Sequence, residues 1–344
     1  MKTHCTVPAK LILSGEHAVL YQCPALSMAI NLHTHCWTTF RKNTSPTITI
    51  ELCDFNQTHT LSLTEYRQQA TQIEQRYQAF LQGKTTIQTV LSHPIDLVIC
   101  TLHHFEQAFA LNTGSWQFKI QSETPIGRGL GSSAAVILSL LGSLIKQHQQ
   151  KVSSTEQLSL AQQIEAYQHG QSSGIDPATL IQAGLLQYQT DQPIQPIISP
   201  PFFNAWLIDT GKPDSATGEC VMAVKSQHQN NMVLWQAFRT TTKAIATAIQ
   251  QNDVQTLQQG VRQNHQLLIQ IGVVPNHIQH FISALQTQYH AAAKICGAGS
   301  ISGNHAGVVL CLSDTPPLEL CQRYGYPCHP IALQSQGIRC ELDE

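Results

Sequence analysis

Short runs rich in β-forming residues alternate along the chain with longer runs whose apolar residues recur three and four apart. "KLIL" at 10–13, bounded by Pro8 and Gly15, reads as a strand, as do 25–40, 46–52 ("PTITIEL") and 116–123 ("WQFKIQSE"). Helical spacing runs through 61–82 and 94–110. Residues 132–149 are apolar on most faces and read as a buried helix. A further helix at 153–170 carries signals at both ends, a capping box between Ser153 and Glu156 and a stop at Gly170.

After a strand at 184–189, the four prolines of 191–203 mark a crossing between two units. A second set then begins with a strand at 204–211 and continues with helices in 221–250, 254–271 and 275–289. Strands at 292–297 and 306–312, a short helix and a last strand at 337–342 complete it. This order predicts an α+β protein in two lobes, because it lacks the steady βαβ alternation of a doubly wound sheet.

The chain's 344 residues suffice for two domains and a large core. Charged residues are only 12%, with Gln and His supplying much of the polar surface. Lys plus Arg number 19 against 21 Asp plus Glu, without a basic run, which argues against nucleic-acid binding. The 17 histidines, including His103, His104 and His265, are scattered without metal-ligand spacing and read as surface or packed residues. Eleven cysteines, with no CxxC pair, predict reduced thiols in a cytoplasmic protein. The N-terminal residues lack a signal-peptide core, and no apolar run reaches the ~20 residues of a membrane span, so no membrane association is expected.

Four stretches carry candidate chemistry. In "PIGRGLGSSAA", Pro125 to Ala135, three glycines precede a helix start at Ser132 and Ser133. Glycine permits left-handed turns and close backbone approach, and the free amides of a helix's first turn attract anions. The stretch therefore has the form of a phosphate cradle, although a serine-capped helix after a flexible turn fits it too. It is neither a Walker A loop, since no Lys follows the last glycine, nor a Rossmann fingerprint. "CGAGSISGNHAG", Cys296 to Gly307, could be a second ligand-facing loop or an ordinary turn between strands. In "HGQSSGIDPATL", Asp176 and Pro177 fit an N-cap and N1 pair, which is sufficient for the local sequence; a functional reading would make Asp176 a general base or a substrate-orienting carboxylate. Lys10, in "PAKLILSGEHAVL", could supply a cation beside it, or could be a strand-end lysine reaching solvent.

Together, "PAKLILSGEHAVLY", "PIGRGLGSSAA", "GQSSGIDPAT" and "KICGAG" resemble the GHMP small-molecule kinases in order and spacing over nearly the whole chain. "GEHAV", Glu165 eleven residues before Asp176, and "NHQLLIQIGV" at 264–273 are most similar to the branch that phosphorylates mevalonate. The resemblance implies an S5-like N-terminal domain over 1–195, a ferredoxin-like C-terminal domain over 196–344 and a site between them. It implies ATP and Mg²⁺ as cofactors and transfer to the primary hydroxyl of mevalonate; the family also allows a homodimer.

By position, the resemblance places Pro125, Gly127, Gly129, Leu130, Gly131, Ser132, Ser133 and Ala134 around the ATP phosphates. Ser133 and Glu165 would bind Mg²⁺. Asp176 would accept or orient the hydroxyl proton, with Lys10 favouring the alkoxide. Glu16, His17, Ser173, Gly297, Ala298 and Gly299 would line the substrate pocket. Two departures stand out. Ser172 occupies a position where the family usually has proline. Ser300, Ile301 and Ser302 interrupt a run that is usually glycine, and are expected to add bulk near the γ-phosphate. Phosphomevalonate, the nearest alternative substrate, carries an extra dianion and needs several Lys or Arg in the pocket, and the low cation count argues against it. A silent ligand-binding member of the family is a second alternative, and an acyl-transfer enzyme lacks its GxSxG elbow.

Overall fold

The computed structural model describes residues 2–198 and 203–343. Its strands in chain order are β1 (Lys2–Ser14), β2 (Ala25–Arg41), β3 (Thr47–Leu52), β4 (Gln57–Ser62), β5 (Ser115–Ser122) and β6 (Leu185–Tyr188). They continue with β7 (Gln195–Ile197), β8 (Ala205–Asp209), β9 (Ala292–Ile295), β10 (Val308–Leu312), β11 (Cys328–Ile331) and β12 (Arg339–Asp343). The helices are α1 (Leu63–Leu81), α2 (Pro94–Phe109), α3 (Ser132–Gln147), α4 (Ser154–His169) and α5 (Ile175–Gln182). The second half adds α6 (Thr217–His228), α7 (Met232–Gln251), α8 (Val254–Gln270), α9 (Asn276–Tyr289) and α10 (Leu318–Tyr324).

Two sheets organise the fold. The first runs β12-β1-β2-β5-β3-β4, with β6 also paired to β2 and β7 to β6. The second runs β11-β8-β10-β9. All pairings are antiparallel except β3 with β5. The proline-rich crossing contains β7, and its residues 199–202 lie outside the described residues.

Most expected elements occur within a few residues of their predicted bounds. The capping box of Ser153 and Glu156 is formed, and Gly170 caps the end of α4 with φ +76°. Four differences have physical causes. First, β1 does not begin at residue 10; it passes through Pro8, where a register shift between Pro8 and Ala9 accommodates the missing amide. Second, β4 and β11 escape sequence reading because "QTHTLS" and "CHPI" lack buried alternation.

Third, Asp176 is not a helix N-cap. Gly174, at φ +81°, takes that position, which leaves the Asp176 side chain free to face β1. Fourth, not every cysteine is a free thiol. Cys5 and Cys340 lie opposite each other on β1 and β12 and form a disulfide, a pairing hidden by their distance along the chain.

α3 is buried around most of its circumference and packs on β1 and β2 at the centre of the first core. A second core lies between the helices and strands of the second sheet, among Trp235, Phe238, Phe281 and Ile295. A third joins Leu11 and Met28 of the first sheet to Leu207 and Leu310 of the second, with Ile245 of α7 and Leu257 of α8 packed among them. This shared apolar layer holds the two sheets together beside the glycine loops.

Candidate active site

Ser132 opens α3, and the residue before it, Gly131, is the N-cap at φ +73°. No side chain caps the helix, so the amides of its first turn remain available to an anion. Gly131 is required for a second reason. A Cβ there would stand 2.9 Å from Lys10 Cγ and 3.6 Å from Asp176 Oδ2.

Lys10 is buried on β1, and its Nζ lies 2.8 Å from Asp176 Oδ1. The same ammonium donates to the Gly129 carbonyl at 3.2 Å, while the Lys10 amide donates to the Leu130 carbonyl at 3.1 Å. The strand thus fastens the glycine loop at two points.

The two glycine clusters meet face to face. A Cβ on Gly129 would lie 3.0 Å from the Cys296 carbonyl oxygen and 3.3 Å from Gly297 Cα. Their junction borders a cavity of about 320 Å³. Lys10, Glu16, His17, Gly127, Gly129, Gly131, Ser132, Ser133, Glu165, Ser173, Asp176, Gly297 and Ala298 line it. Leu130 and Ala134 are buried in the apolar cores instead. Gly299 packs against the Val273 carbonyl, and neither it nor Pro125 lines the cavity.

Glu165 projects from α4 into this space and accepts a hydrogen bond from Ser172 Oγ at 2.6 Å. Burial, reinforced by the Asp176 charge, pushes its carboxyl up to about 8. Excess negative charge and a hard oxygen set of Glu165 and Ser133 fit a divalent cation such as Mg²⁺, which commonly takes one or two carboxylates and keeps several waters. Ser172 therefore orients this carboxylate.

Glu16 is buried against Lys294, a residue sequence reasoning did not single out; Lys294 Nζ also donates to the Ile12 carbonyl at 3.0 Å. Burial raises the Glu16 carboxyl, with Lys294 opposing the shift. His17 Nε2 is 3.0 Å from the Ala298 carbonyl, and burial lowers its pKa, favouring the neutral ring. His169 also lines the cavity and is likewise lowered by burial. Its position four residues after Glu165, one α-helical turn further on, was the available sequence signal.

The interrupted third loop does not crowd the cavity. Ser300 is buried and turned away, its Oγ accepting from the Ser215 amide at 2.9 Å and donating to the Ser302 carbonyl at 2.8 Å. Ile301 is exposed, and none of residues 300–302 lines the cavity. The bulk is directed outward because the hydroxyls have partners on the neighbouring loop.

Residues 96–184 match the model for the "GHMP kinases N terminal domain". The chain is similar to mevalonate kinases. It is 29% identical to the Thermococcus onnurineus (strain NA1) mevalonate kinase over 311 residues, 87% of each chain. The Methanococcus jannaschii mevalonate kinase structure superposes with a TM-score of 0.77 at 20% identity, covering 96% of this chain and 98% of that one. The L. major mevalonate kinase in complex with R-mevalonate gives 0.70 at 17% identity, covering 96% of both.

Proposed function

We propose that the protein transfers the γ-phosphoryl group of ATP to the primary hydroxyl of mevalonate, giving 5-phosphomevalonate and ADP. The observation that carries this reading is the Lys10–Asp176 pair placed directly beneath the uncapped start of α3. Phosphoryl transfer requires in-line positioning and neutralisation of spread negative charge more than covalent chemistry.

In this reading, residues 1–195 supply the nucleotide cradle and residues 196–344 complete the substrate pocket. The amides of Ser132, Ser133 and Ala134 receive the phosphate oxygens. As the hydroxyl oxygen bonds to the γ-phosphorus and the bond to the β–γ bridging oxygen breaks, Asp176 accepts the hydroxyl proton. Lys10 holds the carboxylate in place and stabilises charge developing on the attacking oxygen. Glu16, His17, Ser173, Gly297 and Ala298 surround the substrate. Mg²⁺, held by Glu165 and Ser133, would supply charge neutralisation on the phosphates when bound.

The named function of the similar relatives supports mevalonate as the acceptor. The charges around the cavity favour the same substrate, because Lys10, which lines it, already faces Asp176, and Lys294, buried behind Glu16, faces that carboxylate, which leaves little for a second phosphate group. Among the described residues no helix is long and apolar enough to cross a membrane, and a cytoplasmic site of action belongs to this proposal. The test is ADP release by the purified protein with MgATP and either mevalonate or phosphomevalonate. Turnover of mevalonate is expected. Turnover of phosphomevalonate alone would reassign the substrate, and ATP-independent binding without turnover would remove the enzyme.

A further inference from the structure

The cations described so far are already engaged. Lys10 faces Asp176, Lys294 faces Glu16, and Arg128 Nε in the glycine loop lies 2.8 Å from Asp209 Oδ1. Glu165 adds a third carboxylate to the cavity lining. A nucleotide triphosphate brings several more negative charges to this place, and a phosphate site of such charge calls for an uncommitted cation.

Lys212 is such a cation. It is exposed, and among the described residues no carboxylate lies within ion-pair distance of it. The loop that carries it leaves β8 immediately after Asp209 and is anchored on both sides. Before Lys212, Asp209 Oδ1 accepts the Gly211 amide at 2.9 Å as well as Arg128 Nε. Gly211 turns at φ +104°, with the His305 ring filling the space a side chain would need. After Lys212, Asp214 accepts the amides of Asn304 at 2.8 Å and His305 at 3.0 Å, and Ser215 donates to Ser300.

Held between these anchors, the Lys212 stem crosses to the first lobe. Its Cε is the atom nearest the position a Cβ on Gly127 would take, at 3.9 Å. Gly127 borders the cavity and begins the loop that ends at the open amides of α3. From this we propose that Lys212 reaches across the cleft to bind the β- and γ-phosphates of the nucleotide, a contact supplied by the second lobe to a site built on the first. The proposal rests on the kinase reading above. It also gives the serine-bearing third loop a task, since Ser300, Asn304 and His305 brace the segment that presents the lysine.

The experiment is calorimetric titration of wild-type protein, Lys212→Met and Lys212→Arg with AMPPNP in the presence of Mg²⁺, and separately with AMP. Lys212→Met should weaken AMPPNP binding about tenfold or more, the range for a hydrogen bond to a charged group. AMP, which lacks the outer phosphates, should bind all three proteins alike, and Lys212→Arg should retain most of the AMPPNP affinity. The melting temperature should stay unchanged, because Lys212 is exposed. Wild-type AMPPNP affinity in Lys212→Met, or an equal loss for AMP, would overturn the assignment while leaving the kinase reading intact. A selective AMPPNP loss in a protein that never phosphorylates mevalonate would sustain the lysine's role and overturn the substrate. No AMPPNP binding by the wild-type protein would remove both.

Discussion

Asp176 and Lys10 meet at 2.8 Å directly below Gly131, the N-cap of α3. One side of the pair therefore faces a row of free helix amides and the other faces the cavity. Lys10 is nearly enclosed while Asp176 keeps 27% of its side-chain surface, so the carboxylate is the partner that an incoming hydroxyl can reach.

Replacing Asp176 with Asn removes the proton acceptor but keeps the side chain's shape. The turnover number should fall about 10²-fold or more, the general-base range, with nucleotide binding preserved. Steady-state rates at a temperature where circular dichroism shows a folded protein would check this. A rate near that of the wild type would take Asp176 out of the reaction.

Gly131→Ala tests the contact itself. An alanine there must hold φ near +73°, at a cost of about 1–2 kcal/mol, and its methyl meets Lys10 Cγ at 2.9 Å. The displaced ammonium should lower kcat/KM by about 10- to 100-fold. A crystal structure of the variant should show Lys10 moved away from Asp176.

Magnesium binding should depend on pH through Glu165. Its carboxyl, raised to about 8, is mostly protonated near pH 6, so a cation must displace a proton to bind there. Apparent Mg²⁺ affinity, measured by titrating metal into the ATP-saturated protein, should climb about tenfold per pH unit below about 8 and level off above it. Glu165→Gln should bind Mg²⁺ more weakly and lose that slope. An unchanged slope in the variant would place the metal elsewhere.

Acid stability should depend on His265, which is buried on α8 near Lys294. Burial, with that positive charge, lowers its pKa from 6.5 to about 4. Because the folded pKa is depressed, the unfolded chain binds the extra proton between these values. The stability of the neutral folded form is present above pH 6.5 and is lost as pH falls toward 4, by up to about 3 kcal/mol at 1.36 kcal/mol per unit. Thermal melts over this range should fall less steeply for His265→Gln than for the wild type.

Local signals alone located the glycine loop, the α3 start, the Ser153 cap and most helices. Each depends on residues a few positions apart: glycine's access to positive φ, the spacing of apolar side chains, a serine hydroxyl reaching an amide three residues on. Of the two local readings of Asp176, the cap does not hold, because Gly174 takes that position, and a cap preference cannot register a lysine on a distant strand. The local rules also passed over Lys294 and Lys212, whose importance comes from what faces them rather than from neighbours in the chain.

The chain by itself therefore determined an α+β architecture, a phosphate-shaped bend before a buried helix, and the residue types for phosphoryl transfer. Only the tertiary structure decided that Gly129 meets Gly297, that Cys5 bonds to Cys340, and that the serines of the third loop turn outward to Ser215. The reason is physical. Backbone conformation follows from nearby side chains, whereas close contacts, burial and charge pairing depend on which surfaces the packing of two sheets around a shared apolar layer brings together.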